Sequence, residues 1–278
     1  MFRDIVYRAA KRWIAGKEMP EALEKAKEAN DKGMGAILNY LGEDITDKRV
    51  AQRHVEEYLM LQRRIAESGI DGCVSAKLTQ FGLGVDDSFV LEEAELLAAE
   101  AERLGQTLWI DMEGSSSTSK TIEIYSKLLE RHRNVGLALQ AYLRRSESDL
   151  KSLLDIGGKV RLVKGAYREP SRLVFGSRAQ VIESFAKLMS TLFEKSEGFA
   201  IATHDTVLID GARALYRSHK TAFEFEMLRG IRDELKADLV KSGYRVVDYL
   251  PYGEDWYAYS VRRIREHPSN IWLLLRSL

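Results

Sequence analysis

Between Gly35 and Tyr249 the chain repeats one pattern eight times: a short apolar run followed by a longer, charged, amphipathic stretch. The runs are Gly35–Leu41, Gly72–Leu78, Thr107–Met112, Gly136–Tyr142, Lys159–Lys164, Phe199–Thr203, Thr221–Phe225 and Tyr244–Tyr249. Short runs of this kind form buried strands, and the intervening stretches form helices that cover them. Eight such units fit a closed parallel (β/α)8 TIM-type barrel of roughly 250 residues better than an open sheet. An open dinucleotide-binding sheet would carry a glycine-rich first turn. Gly33, Gly35, Gly82 and Gly84 make only G-x-G pairs, and no phosphate-binding P-loop occurs. With four prolines and no low-complexity linker, the chain reads as a barrel over residues 33–278 with an N-terminal helical extension over 1–32.

Composition narrows the functional classes. Lys plus Arg and Asp plus Glu both number 42, so no overall field favours nucleic acid. Cys73 is the only cysteine, which rules out an internal disulfide and fits a reducing compartment, hence a cytoplasmic protein. No apolar run approaches the ~20 residues of a spanning helix. Helices are expected over Phe2–Ala15 and Pro20–Asn30. In the first, Phe2, Val6, Ala9, Trp13 and Ile14 share a face while basic residues occupy others. Such a stripe suits either packing on the main domain or peripheral contact with the inner face of a membrane.

Strands of a parallel barrel should be apolar almost throughout. Here the runs turn polar towards their C-terminal ends: Lys77, then Asp111 and Glu113, Gln140 and Tyr142, Arg161 and Lys164, Thr203, His204 and Asp205, and Glu224 and Glu226. Active sites of barrel enzymes lie at that face, so these side chains converge on one pocket. Taken singly, each is equally well an ordinary polar group at the solvent boundary. Recurrence over six strands favours the pocket.

In the last long helix Tyr259, Arg262, Arg263 and Glu266 fall at i, i+3, i+4 and i+7 and share one face, while Tyr257, Val261 and Ile264 are placed to pack on the barrel. Two adjacent guanidiniums repel unless an anion joins them, and their fork geometry suits a carboxylate. The alternative is a surface pair matched to Glu266 and Asp255. At this point the residues leave open an enzyme acting on a carboxylate by a chemistry not yet specified, a Schiff-base aldolase or lyase using Lys77 or Lys164, and a non-catalytic carboxylate-binding barrel.

The segments Arg161-Leu-Val-Lys-Gly-Ala-Tyr167 and Tyr259-Ser-Val-Arg262-Arg263 resemble the signature of the proline dehydrogenase family. Ser75-Ala-Lys77, Ile110-Asp111-Met-Glu113, Leu139-Gln140-Ala-Tyr142, Ala202-Thr203-His204, Phe223-Glu-Phe-Glu-Met-Leu228 and Tyr249-Leu-Pro-Tyr-Gly253 extend the likeness in the same order. It covers most of Gly35 to Leu278, although Arg168 stands where some relatives place tryptophan, which leaves the stacking near the flavin open. The resemblance implies FAD bound without a Rossmann unit and oxidation of L-proline to Δ1-pyrroline-5-carboxylate by hydride transfer from proline C5 to flavin N5. It also implies a quinone or other electron acceptor and a separate pyrroline-5-carboxylate dehydrogenase as pathway partner, because the likeness is to the short, single-activity form.

Carried over by position, Arg262, Arg263 and Lys77 hold the proline carboxylate, Tyr249 and Tyr259 shape the pocket, and Leu228 forms an apolar wall. Asp111 organises the site and Arg161 lies at the flavin N5 edge, both as catalytic residues. Met112, Gln140, Val163, Lys164, Gly165, Ala166, Thr203 and His204 address FAD, and Glu266 meets the cofactor or steadies Arg263. No metal is expected: His204 has no clean ligand spacing with the other four histidines.

Overall fold

The computed structural model describes Tyr7, residues 10–261 and the backbone of residues 262–266. Eight parallel strands close into one barrel in chain order. They are β1 Gly35–Tyr40, β2 Gly72–Ala76, β3 Leu108–Ile110, β4 Val135–Gln140, β5 Lys159–Val163, β6 Gly198–Ala202, β7 Ala222–Leu228 and β8 Val246–Tyr252. Helix α1 (Met19–Asn30) precedes β1. The crossovers carry α2 (Lys48–Glu67), α3 (Asp87–Arg103), α4 (Ser115–Arg131), α5 (Ser146–Asp155), α6 (Arg178–Lys195), α7 (Thr206–His219) and α8 (Asp233–Lys241), and α9 (Trp256–Glu266) follows β8. This is the (β/α)8 barrel that the repeat predicts.

Helix starts are written locally. The side chains of Asp47, Asp86 and Asp205 accept first-turn backbone N–H groups of α2, α3 and α7. Ser177 and Gln180 form a reciprocal capping box on α6. Each start follows the C-terminal end of a strand, so the capped helix ends surround the barrel mouth.

Strand alternation divides the side chains between two cores. Leu38, Val74, Leu108, Leu137, Leu162, Ile201 and Phe225 face outward and join the large core under the helices. Inside, the buried apolar cluster is small: Ile37, Trp109, Ala200 and Val247, with Cys73 and Tyr249 against it. The Trp109 ring fits because its neighbour on β4 is Gly136. A Cβ there would lie 2.4 Å from the indole. Above this floor the inward positions are polar.

Several expected boundaries move. β2 and β3 stop at Ala76 and Ile110, before the polar residues that follow, whereas β7 and β8 run on to Leu228 and Tyr252. The extension of β7 passes through Glu226, a buried ionisable residue that reads in sequence as a strand end. The expected packing face of α9 is also corrected. Tyr257 is exposed and Val261 half-buried, and among the described side chains of the helix Trp256, Tyr259 and Ser260 are the buried ones. Ile264 lies outside the described side chains. Of the expected helix Phe2–Ala15, residues 2–6, 8 and 9 lie outside the described residues, and residues 11–13 form a turn. Ala10, Trp13 and Ile14 pack with Leu41, Trp256 and Tyr259. Among the described residues no helix is long and apolar enough to cross a membrane.

Gly136→Ala should destabilise the fold by about 1–3 kcal/mol through overpacking against Trp109. Urea unfolding checks this, and a midpoint equal to wild type contradicts the proposed fit.

Candidate active site

At the C-terminal mouth the strands enclose a cavity of about 1020 Å³. That is the upper end of the range for ligand pockets, room for one large ligand and a small one. Its floor is ionic. Arg161 on β5 projects inward, is 2% exposed and stacks on the Trp109 ring with its guanidinium carbon 4.4 Å from the centroid. Its Nη1 donates to Asp111 Oδ1 at 2.8 Å and to Ser75 Oγ at 2.9 Å, and its Nε pairs with the Glu226 carboxylate.

Asp111 accepts from Ser75 Oγ at 2.9 Å and from the Tyr249 hydroxyl at 2.7 Å, as well as from Arg161. Three donors thus converge on one carboxyl group. The Glu226 oxygens make no well-aligned hydrogen bond among the described residues, so its pairing with Arg161 is Coulombic. Burial pushes the Glu226 carboxyl up to about 8, against the lowering pull of Arg161. For Arg161 burial disfavours the charged form, but the neighbouring Glu226 and Asp111 outweigh it and hold the guanidinium above its usual range. The result is a permanently cationic Arg161, because a guanidinium keeps its proton throughout the working range.

The walls come from the other strand ends. Lys77, Met112, Gln140, Val163, Lys164, Gly165, Ala166, Thr203, His204, Leu228, Tyr249 and Tyr259 all line the cavity with Asp111 and Arg161. These are the site residues expected from sequence, apart from Arg262, Arg263 and Glu266, whose side chains lie outside the described residues. Lys164 Nζ donates to Asp205 Oδ2 at 2.7 Å, and Arg178 meets the same oxygen at 3.0 Å. His204 Nε2 accepts the Leu228 backbone N–H at 2.9 Å.

The sequence singled out Glu226 as a polar strand-end residue of the pocket without a specific role, and gave no role to Trp109, Ser75, Asn39 or Arg12. For Ser75 the signal was available: it lies two residues from Lys77, and inward positions recur at a period of two. Arg12 carried no such signal.

The residues present fit a flavin. Arg161 Nη2 and Gln140 Oε1 are buried without a hydrogen-bond partner among the described residues, a donor and an acceptor at the cavity. Gly165, at φ +102, is pressed so closely by Tyr142 that a Cβ would lie 2.1 Å from the ring, leaving bare backbone on the cavity wall. Lys164, Arg178 and Arg232 place cations around the same opening.

A family profile described as proline dehydrogenase matches residues 22–271, further towards the N-terminus than the motifs read from sequence. Proline dehydrogenase 2 of Bacillus subtilis (strain 168) is 36% identical over 266 residues, covering 95% of this chain and 88% of the relative. The proline dehydrogenase of Deinococcus radiodurans is 34% identical over 284 residues, 99% of this chain and 92% of that one. Among solved structures, proline utilization A from Bdellovibrio bacteriovorus, inactivated by N-propargylglycine, superposes with a TM-score of 0.87 at 25% identity. That likeness covers 93% of this chain and 32% of the longer one.

Beside the cavity, burial pushes the Glu113 carboxyl up to about 7, although Thr79 Oγ1 donates to it at 2.6 Å. Its folded pKa lies above its unfolded one, so the folded state holds the extra proton. Stability is then full below about pH 4.5 and falls as pH rises towards 7. Glu226 adds a decline of the same sign, so Glu113→Gln should make the total decline smaller by up to about 3 kcal/mol over that window. Urea unfolding at pH 4.5 and pH 7.5 measures it; an unchanged pH dependence contradicts the assignment.

Proposed function

The chain belongs to the proline dehydrogenase family, and from that membership we propose that it oxidises L-proline to Δ1-pyrroline-5-carboxylate with FAD as cofactor. The observation that carries this reading is the buried Arg161 beneath a cavity lined by the expected residues. Bound there, FAD would supply at N5 the acceptor for hydride leaving proline C5.

The chain's own groups prepare that chemistry. Met112, Gln140, Val163, Lys164, Gly165, Ala166, Thr203 and His204 would hold the cofactor, with Lys164 and its cationic neighbours near the pyrophosphate. Arg262 and Arg263 on α9, with Lys77, would bind the proline carboxylate, and Glu266 would meet the cofactor or steady Arg263. Tyr249, Tyr259 and Leu228 would enclose the pyrrolidine ring. Tyr249 is well suited to this, since its hydroxyl is tied to Asp111 and its ring therefore has one orientation.

Proline must lose its ammonium proton before it can release hydride, and a cationic pocket favours that loss electrostatically. Arg161 would stabilise negative charge arriving at the reacting edge, with Asp111 and Ser75 holding its guanidinium in place. Electrons would pass on to a quinone or other acceptor on the cytoplasmic side; of the N-terminal segment, Ala10, Trp13 and Ile14 pack on the main domain and are not available to a membrane. Pyrroline-5-carboxylate dehydrogenase would act next.

The Schiff-base alternative is weakened by Lys164, which is engaged by Asp205 where a nucleophilic lysine needs a neutral, unpaired amine.

Anaerobic addition of L-proline to the FAD-loaded protein should bleach the flavin absorbance, and N-propargylglycine should inactivate the enzyme as it does the Bdellovibrio relative. A protein that takes up no FAD, yet is trapped by borohydride with a keto substrate, would instead be an aldolase. Arg263→Ala should raise KM for proline about 10- to 150-fold, the loss of one charge-assisted carboxylate contact, with flavin retained. Unaltered steady-state proline kinetics would count against that placement.

A further inference from the structure

The rim of the cavity includes a residue from outside the barrel. Arg12 precedes α1, yet it lines the cavity together with Leu228, Gly230 and Tyr259. Its segment is fastened down by backbone: Ala15 N donates to Pro251 O at 2.7 Å, and Gly253 N donates to Gly16 O at 3.2 Å. Trp13 and Ile14 bury their side chains against Leu41, Trp256 and Tyr259. The segment is thus a fixed part of the mouth.

Arg12 meets the turn between β7 and α8. Its Nε donates to Gly230 O at 3.1 Å. Gly230 has φ +66, and a Cβ there would lie 2.1 Å from Arg12 O, so the glycine is required both by conformation and by the closeness of the Arg12 backbone. From the opposite side His204 Nε2 takes the Leu228 amide, and Arg232 donates to His204 O at 2.7 Å. Arg229 N donates to Tyr249 O at 3.1 Å. The turn that begins at Leu228 is therefore gripped between His204 and Arg12. Of these two grips, only Arg12 comes from outside the eight strands and their connections.

We propose that Arg12 is a positioning residue for ring-size selectivity: by holding Gly230 it keeps Leu228 against the substrate space, so the N-terminal segment forms part of the active site. The selectivity rests on the proline reading above; the clamp itself does not. A loosened turn gives Leu228 room to retreat, which relieves the exclusion of a larger ring more than it weakens binding of the smaller one.

Two measurements on full-length protein separate these layers. In cofactor-free protein, hydrogen exchange in residues 228–232 should quicken at least about tenfold in Arg12→Ala while the barrel strands exchange as in wild type. Unchanged exchange in that turn overturns the clamp. In the FAD-loaded enzyme, the ratio of kcat/KM for L-proline to that for L-pipecolate, its six-membered homologue, should fall at least about fivefold in Arg12→Ala. Arg12→Lys, which can still donate to Gly230 O, should recover part of the ratio. A ratio equal to wild type, with both substrates slowed alike, makes Arg12 merely structural and overturns the proposal. Wild-type enzyme that is inert to proline while the exchange result holds would sink the substrate reading and leave the clamp standing.

Discussion

A guanidinium buried inside a β-barrel costs several kcal/mol unless charge and hydrogen bonds replace the water it has lost. Arg161 meets that demand with partners from four other strands: Ser75 from β2, Glu226 from β7, and Asp111 beyond the end of β3, with the ring of Tyr249 on β8 held to Asp111. Each partner is placed by strand register, so the ionic cluster exists only if the barrel closes with every strand in its place. The converse also holds. A cluster that needs five strands penalises any slip in register, since one residue of slip turns inward side chains outward.

The cluster shapes what lies above and below it. Beneath, Trp109 supplies an aromatic face to the guanidinium and fills the space left by Gly136, so the floor is closely packed. Above, the cavity receives a fixed positive charge that the protein compensates only partly through hydrogen bonds, because Nη2 of Arg161 has no partner among the described residues. An anionic or electron-rich group entering the cavity finds a donor already oriented. Such a donor needs no reorganisation when charge develops nearby, which is the main source of electrostatic catalysis.

The barrel was legible in sequence because eight apolar runs with amphipathic spacers admit few other folds, and the cavity wall was legible because polar residues at strand ends have little other reason to recur. Boundaries were less legible where a buried ionisable residue interrupts a strand. Glu226 reads as the end of β7, although burial against Arg161 keeps it within the sheet. The α9 packing face was misjudged because Trp256 and Tyr257 are equally apolar by composition, and only the tertiary contact with Trp13 and Ile14 selects between them. Arg12 was invisible for a related reason. Nothing local distinguishes it from the other basic residues of its segment, and its contact with Gly230 spans 218 residues of chain.

If Arg161 acts on developing charge and not on substrate capture, the rate of flavin reduction and the affinity for proline must separate when it is changed. Anaerobic stopped-flow mixing of FAD-loaded Arg161→Gln with a series of L-proline concentrations reads both at once. The limiting reduction rate should fall about 10²- to 10³-fold, the usual loss on removing a preorganised donor, while the half-saturating proline concentration stays within about threefold of wild type. A wild-type limiting rate, or a loss confined to proline affinity, would contradict the account.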